Sequence, residues 1–374
     1  MKYWRGYLIA ALFGAFGWGL TEFAKSHITL MDIVYPYMSR MIVSSMADWS
    51  AGADFCIWQV LLIVGIVLML ASVVLMLVFK WNPIQWFGWV LAVISLVSVL
   101  NLGVYGLNTY TGDLADDIRL QVVEHTVSEL ETTAMHYRDQ ANALAQKISR
   151  DEQGAVQFEE FSVLANKAGD GFKVLTYKEG LSIFAGSTAQ VKPLAFTGMY
   201  GNTIGVTVGI TGEAAVNPDI PDLMLPFAMC REMAHRLSIK NDADANYAAI
   251  IACRANKDEQ FQYCASFMAY NYCVQALRAD TTTTGTAALE RVVQGQNQLL
   301  TQDMEACAAY LGSDTYSNSG SYQTYDLLVS GYVMEYILPN QVVEEEVFDP
   351  MDESQVDLTT TVVDITPTQE EDGE

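Results

Sequence analysis

Basic side chains are scarce in this 374-residue chain: 20 Lys and Arg stand against 44 Asp and Glu, a formal net charge of −24. Polyanions are held by clustered Lys and Arg, so this balance excludes nucleic acid as a partner. Charge of either sign is thin as well, at 17% of residues against 51% hydrophobic. That is too little to cover a wholly soluble protein of this size. Histidine is rarer still, with four in the chain, which leaves few imidazoles for metal or acid–base chemistry. The sequence holds no Gly-rich phosphate loop, no internal repeat and no basic aromatic patch.

The acid excess is uneven. Residues 1–108 carry five basic and four acidic groups, while residues 341–374 hold twelve acidic side chains and no Lys or Arg. Near neutrality at the front goes with long apolar runs. A helix needs about 20 apolar residues to cross roughly 30 Å of hydrocarbon, and the stretches at about 7–23, 56–79 and 84–105 meet that need. The second carries no charge and ends on Lys80 and Trp81, an interfacial anchor. The first follows Lys2 and Arg5 like a secretory signal, but no small-residue cleavage site closes it, so it reads as a retained anchor. Lys2, Arg5 and Lys80 share one side, which by the positive-inside rule is cytoplasmic. The chain after about residue 108 is then expected outside the cytoplasm, with the lipid bilayer as one partner.

The reading divides the chain into a membrane domain over 1–108, an extracytoplasmic domain over 109–338 and an acidic disordered tail over 339–374. Apolar residues at three- and four-residue spacing predict one long helix over 113–150 and a second over 156–168 that ends at Gly169. Short β-branched or aromatic stretches at 173–177, 181–184, 191–196 and 203–211 predict a small sheet. Helices follow over 221–237, 242–255, 258–279, 284–311 and 322–337. The fold class is α+β, mainly helical. Five of the six Cys lie beyond the spans, an odd number that fits no CxxC zinc pattern. Buried thiols and one or two helix-to-helix disulfides are both open.

Chemistry concentrates in LMLPFAMCREMAHRLSIKNDADAN, residues 223–246. A zinc peptidase helix of the form H-E-x-x-H sets two imidazoles on one face, with the glutamate as general base for metal-bound water. Here Glu232 and His235 keep their places and Arg231 stands where the first His belongs. A guanidinium has no lone pair to give and stays protonated, so Arg231 cannot be a ligand. It can instead pair with Glu232, Asp242 or Asp244. Of the remaining histidines, His27 lies in the outer loop, and His125 and His136 fall on the long helix, from which either could supply a replacement ligand.

The stretch TGEAAVNPDIPDLMLPFAMCREMAHRLSIKNDADAN, residues 211–246, resembles a family of bacterial membrane proteins catalogued as a domain of unknown function, number three-eight-one-zero. Thr211, Gly212, Glu213, Ala214 and Asn217 match one element of the family pattern, and Leu225, Pro226 and Phe227 a second. Glu232, Ala234 and His235 match a third, while Ala245 and Asn246 close a fourth. The likeness extends loosely over residues 1–338. It implies membrane helices followed by a zincin-like domain of the gluzincin type, with His235 and Asp244 as metal ligands and Zn²⁺ as cofactor if the site works. The chain departs at Arg231 and again at Asp244, where the family has Glu. Both departures weaken a metal site, so the expectation is no cofactor and a non-catalytic module that holds an envelope peptide or protein. Glu213, Asn217 and Asn246 are its candidate peptide-positioning residues. The alternative is a zinc metallopeptidase with Glu232 as base.

Overall fold

The computed structural model describes residues 4–201, 203–311 and 323–340. Beyond Asn340 the expected acidic tail lies outside the described residues. Three helices are long and apolar enough to cross a membrane: α1 (Arg5–Ser26), α4 (Ile57–Val78) and α5 (Pro83–Val104). Large apolar side chains such as Leu8, Phe16, Leu68 and Val97 point outward from them, a surface that water penalises and hydrocarbon does not. The α1 and α5 backbones meet at Gly6 and Gly88, where a Cβ on Gly6 would lie 2.3 Å from the Gly88 carbonyl carbon. Small residues at such a crossing let two apolar helices touch. Asn82 accepts from the backbone N–H of Ile84 and Gln85, and with Pro83 at the first turn it starts α5.

The segment expected to be an outer loop is helical, forming α2 (Ile28–Ile33) and α3 (Tyr35–Ser50). The buried face of α3 carries Ser39, Arg40, Val43, Ala47 and Ser50. Ser39 donates to the Val104 carbonyl at 2.7 Å, Arg40 donates to the Ile183 carbonyl, and Asp48 accepts from the Ser187 hydroxyl at 2.5 Å. This short amphipathic helix therefore lies between the apolar helices and the rest of the chain.

After α6 (Leu114–Asp117) the chain runs without helix to α7 (Val127–Ala145). The single long helix expected over 113–150 is thus broken. Arg119 takes a left-handed backbone (φ 58°), and Thr126 and Glu129 form a reciprocal capping box that restarts the helix. The next helix, α8 (Phe161–Tyr177), runs through Gly169 and absorbs the first expected strand. Its glycines mark close approach instead of a helix end: a Cβ on Gly171 would sit 1.9 Å from the Ala252 carbonyl oxygen. The second expected strand is a 3₁₀ turn, Ser182–Phe184.

The sheet has order β1-β3-β2, with β1 (Lys192–Pro193) parallel and β2 (Gly205–Val208) antiparallel to β3 (Glu213–Val216). β3 is fully buried and its Glu-Ala-Ala-Val sequence lacks the strand signature, which is why it was not anticipated. α9 (Leu225–Arg236), α10 (Asp242–Ala255) and α11 (Glu259–Ala279) form the centre of the core. Ala234, Ala248, Ala252, Cys230, Cys253 and Cys264 are buried there, small residues that let these helices pack closely. All six cysteines are free and buried, so the thiol reading holds and the disulfide reading does not. The helix expected over 284–311 is split into α12 (Thr283–Gln294) and α13 (Gln298–Leu311). At the break the Arg138 guanidinium occupies the space a side chain on Gly295 would need. Last comes α14 (Thr324–Tyr332), followed by a π-helical turn.

Candidate functional site

The α9 face predicted from residue spacing does present Arg231, Glu232 and His235 to a cavity of about 660 Å³. Its other walls are β2 at Gly205, Val206 and Thr207, the start of α10, α6, the segment leaving α5, and Asp32 and Pro36 from the α2–α3 region. Helices long enough to span a membrane thus lead directly into one wall of the cleft.

Arg231 is held at three points. Its Nη1 donates to Glu232 Oε1 at 2.7 Å, its Nη2 to Asp242 Oδ1 at 2.6 Å and its Nε to Asn246 Oδ1 at 3.0 Å. Burial alone would lower the guanidinium pKa, but the charges of Glu232 and Asp242 outweigh it and raise it above the ordinary arginine value. Glu232 is 1% exposed, and its second oxygen accepts from the Thr207 hydroxyl at 2.9 Å. The β2 backbone lies directly on this side chain, since a Cβ on Gly205 would fall 2.5 Å from Glu232 Cγ. Asn246 passes the network on by donating to the Thr324 hydroxyl at 3.2 Å on α14.

His235 Nδ1 lies 2.8 Å from the Ile239 carbonyl. A carbonyl only accepts, so Nδ1 carries the hydrogen, and Nε2 is turned toward Asp242 Oδ1 at 3.5 Å. The His235 ring facing it pulls the Asp242 carboxyl below the usual carboxylate range; burial opposes this and Arg231 adds to it. Asp244, the other expected ligand, is buried on the first turn of α10, where its Oδ2 accepts from the Leu114 N–H at 3.0 Å.

These residues do not fit a zinc ion. A catalytic zinc takes three neutral or anionic donors around an open position. Here a guanidinium stands in the first position and Asp244 is engaged with the α6 backbone. Among the described residues no group of three or more His, Cys, Asp or Glu is arranged to hold a metal. Neither His136 on α7 nor His125, which the break in the expected long helix leaves in the non-helical segment before α7, lines the cavity. His136 sits among the rings of Tyr137, Tyr332 and Tyr336, and His125 against Tyr325.

Glu213, Asn217 and Asn246 do not line the cavity either. Glu213 is buried at the start of β3, where its two oxygens accept from the N–H groups of Ile57 at 2.6 Å and Trp58 at 2.8 Å. It thereby caps α4, and it pairs with the buried Lys192 at 2.8 Å. Asn217 holds the turn after β3, its side chain accepting from the Asp219 N–H at 2.9 Å. Sequence reasoning missed Thr207, whose only signal was its place in a strand pattern. It also missed Tyr105 and Asn108 at the exit of α5, and Lys240, whose ammonium lies 4.7 Å over the Tyr105 ring.

No curated protein and no solved structure matches the chain. A family profile described as protein of unknown function, DUF3810, matches residues 31–328, a span that runs from α2 through the cleft to α14. The chain therefore belongs to the DUF3810 family.

Proposed function

We propose that this is a membrane-anchored member of the family whose zincin-like cleft holds an extended peptide without cutting it. The observation that carries the reading is the three-point clasp on Arg231. It fills the first ligand position of an H-E-x-x-H helix with a fixed cation and uses one oxygen of the would-be general base, Glu232, as its counter-ion. β2 supports the binding half of the reading. It is an edge strand of its sheet and it lines the cleft, so its outer edge is placed to take a peptide by strand addition, with main-chain hydrogen bonds giving affinity. The charge asymmetry of the flanks, with Lys2, Arg5 and Lys80 on one side, supports a cytoplasmic N-terminus and a cleft on the outer face of a bacterial membrane.

The full chain is the object to test, because Glu213 ties α4 to the sheet and Asp48 ties α3 to Ser187 in the segment before β1. Purified in detergent and analysed for metal, the wild-type protein is expected to hold no stoichiometric zinc and to leave labelled peptides uncut while binding them in a fluorescence anisotropy titration. Arg231→His, which puts an imidazole where the guanidinium stands, is expected to raise zinc uptake. Stoichiometric zinc together with peptide cleavage by the wild type would overturn the proposal in favour of a metallopeptidase using Glu232.

A further inference from the structure

On α3 the face packed against the rest of the chain is mostly small or polar, carrying Ser39, Arg40, Val43, Ala47 and Ser50. The opposite face carries Tyr37, Met38, Met41 and Trp49, all exposed, Trp49 by 69%. Helical spacing at three and four residues sets these four on one stripe with Val34, which is exposed just before the helix. Two polar residues share that side without needing water. The Ser45 hydroxyl donates to the Met41 carbonyl at 2.8 Å, and Asp48 is taken by the Ser187 hydroxyl. On α2, Ile28 and Ile33 are exposed as well. Ten large apolar side chains are exposed between Ile28 and Phe55, against seven among all the described residues after Val104. So dense a patch marks an interaction surface.

Two of those seven, Phe196 and Met199, flank the Thr197–Met199 turn beside the first turn of α4, with Met199 83% exposed. Gln59 of α4 fastens this loop with both ends of its amide. Its Nε2 donates to the Ala195 carbonyl and to the Tyr200 hydroxyl at 3.0 Å each, and its Oε1 accepts from the Ala195 N–H at 3.1 Å. Phe196 takes a left-handed backbone, φ 57°, a conformation that a bulky residue holds only where the surroundings impose it.

Both apolar surfaces lie where the apolar helices end. α1 and α5 run side by side in one direction, since a Cβ on Gly6 would meet Gly88 and one on Gly17 would meet Val99. Their C-terminal ends therefore share a level. Tyr35 at the start of α3 donates to the Gly103 carbonyl at 3.1 Å, and Ser39 donates to the Val104 carbonyl. The other end of α3 leads through residues 51–56 into α4, at the turn where Gln59 holds the loop. The patch is thus continuous with helices long and apolar enough to cross a membrane. Its chemistry is apolar, because Arg40, the only basic residue from Ile28 to Phe55, is buried against the Ile183 carbonyl.

We propose that α2, α3 and the Thr197–Met199 turn form a second membrane contact, lying in the headgroup region of the bilayer and held there by apolar burial, with Tyr37 and Trp49 at the lipid–water boundary. Asp32 and Pro36 come from the same segment and line the cleft, so this contact sets one wall of the cleft against the lipid surface. The inference stands whether or not the cleft holds a peptide.

The test uses the full chain in phosphatidylcholine vesicles, with a nitroxide placed in turn at Met41→Cys, at Met199→Cys and, as a water-exposed reference, at Glu290→Cys on α12. The six native cysteines are buried, and wild-type protein carried through the same labelling gives the blank. Collision of the nitroxide with oxygen, which concentrates in lipid, is compared with collision with a water-soluble nickel chelate. The oxygen-to-nickel ratio is expected to be at least about threefold higher at Met41 and Met199 than at Glu290. A ratio at Met41 or Met199 equal to that at Glu290 would put the side chain in water and overturn the proposal. Low collision with both reagents, with dipolar broadening that vanishes on dilution with unlabelled protein, would show a second copy on this face and overturn it too. Without any label, the emission of Trp49, taken as the difference between wild type and Trp49→Phe, is expected to fall when bromine-bearing phosphatidylcholine replaces the ordinary lipid. Unchanged emission would also overturn the proposal. None of these readouts involves peptide binding, so failure here is distinct from failure of the peptide reading.

Discussion

Removing the Arg231 charge tests the clasp directly. In Arg231→Met a side chain of similar length loses its three hydrogen bonds, and Glu232, 1% exposed, keeps only the Thr207 hydroxyl as partner. Breaking a buried ion pair by deleting one member costs about 3–5 kcal/mol, most of it the penalty on the charge left behind. Asp242, whose side chain is 43% exposed, is rehydrated and adds little, so the lower end applies, about 3 kcal/mol. For a domain of this size that lowers the unfolding midpoint by roughly 6–12 °C. The second arm separates charge from packing. Glu232→Gln in the Arg231→Met background removes the stranded charge and still accepts from Thr207, so it is expected to recover about 2 kcal/mol. The assay is thermal unfolding of the full chain in detergent, followed by intrinsic fluorescence and read as a double-mutant cycle. A midpoint change below about 2 °C for Arg231→Met, or a double variant less stable than either single one, would refute the claim that Glu232 and the guanidinium are a mutually dependent pair.

Two further outcomes follow from the same geometry. Glu213→Gln leaves the buried Lys192 ammonium with only the Ser50 carbonyl at 2.7 Å in place of a counter-ion. The expected loss is about 3 kcal/mol of stability with faster hydrogen exchange at the Ile57 and Trp58 amides, and unchanged exchange there would show that Glu213 does not hold the α4 terminus. For pH, the Asp242 carboxyl is depressed in the folded state, so its contribution is complete above the unfolded value of about 3.9 and is lost as pH falls through the lower folded value. The acid limb of the wild-type stability profile should therefore be steeper than that of Asp242→Asn below about pH 4, and coincident limbs would contradict this.

What the sequence disclosed and what it hid divide by range of interaction. The three apolar helices and the run from α9 to α10 were readable because each depends on contiguous composition or on helical spacing, which set Arg231, Glu232 and His235 on one face. Gly169 misled for a definable reason: glycine marks a helix end in isolation, but the same residue type serves where two backbones touch, and only Ala252 beside Gly171 shows that. β3 was hidden because a buried central strand can be built from Ala once its neighbours supply the packing. The partners of Asp244 and Glu213 were beyond any local pattern. Leu114 lies 130 positions from the first and Ile57 156 positions from the second.

Those long-range partners explain residues that motif reading assigned to the cleft. Gly212 takes φ 66° in the β2–β3 turn, and a Cβ there would fall 2.2 Å from the Ala47 backbone nitrogen on α3; the turn must be glycine for α3 to dock. The next residue, Glu213, places its carboxylate at the start of α4. The Thr211-Gly212-Glu213 sequence therefore seats the apolar helices on the sheet. β3, which begins with Glu213, pairs with β2, whose Thr207 binds both the carboxylate and the backbone carbonyl of Glu232. Two short strands, β3 and β2, thus join the N-terminus of α4 to the Arg231 clasp through direct hydrogen bonds. The register sets Val208 of β2 opposite Glu213, so a displacement of β2 would reach the N-terminus of α4 through the Glu213 carboxylate.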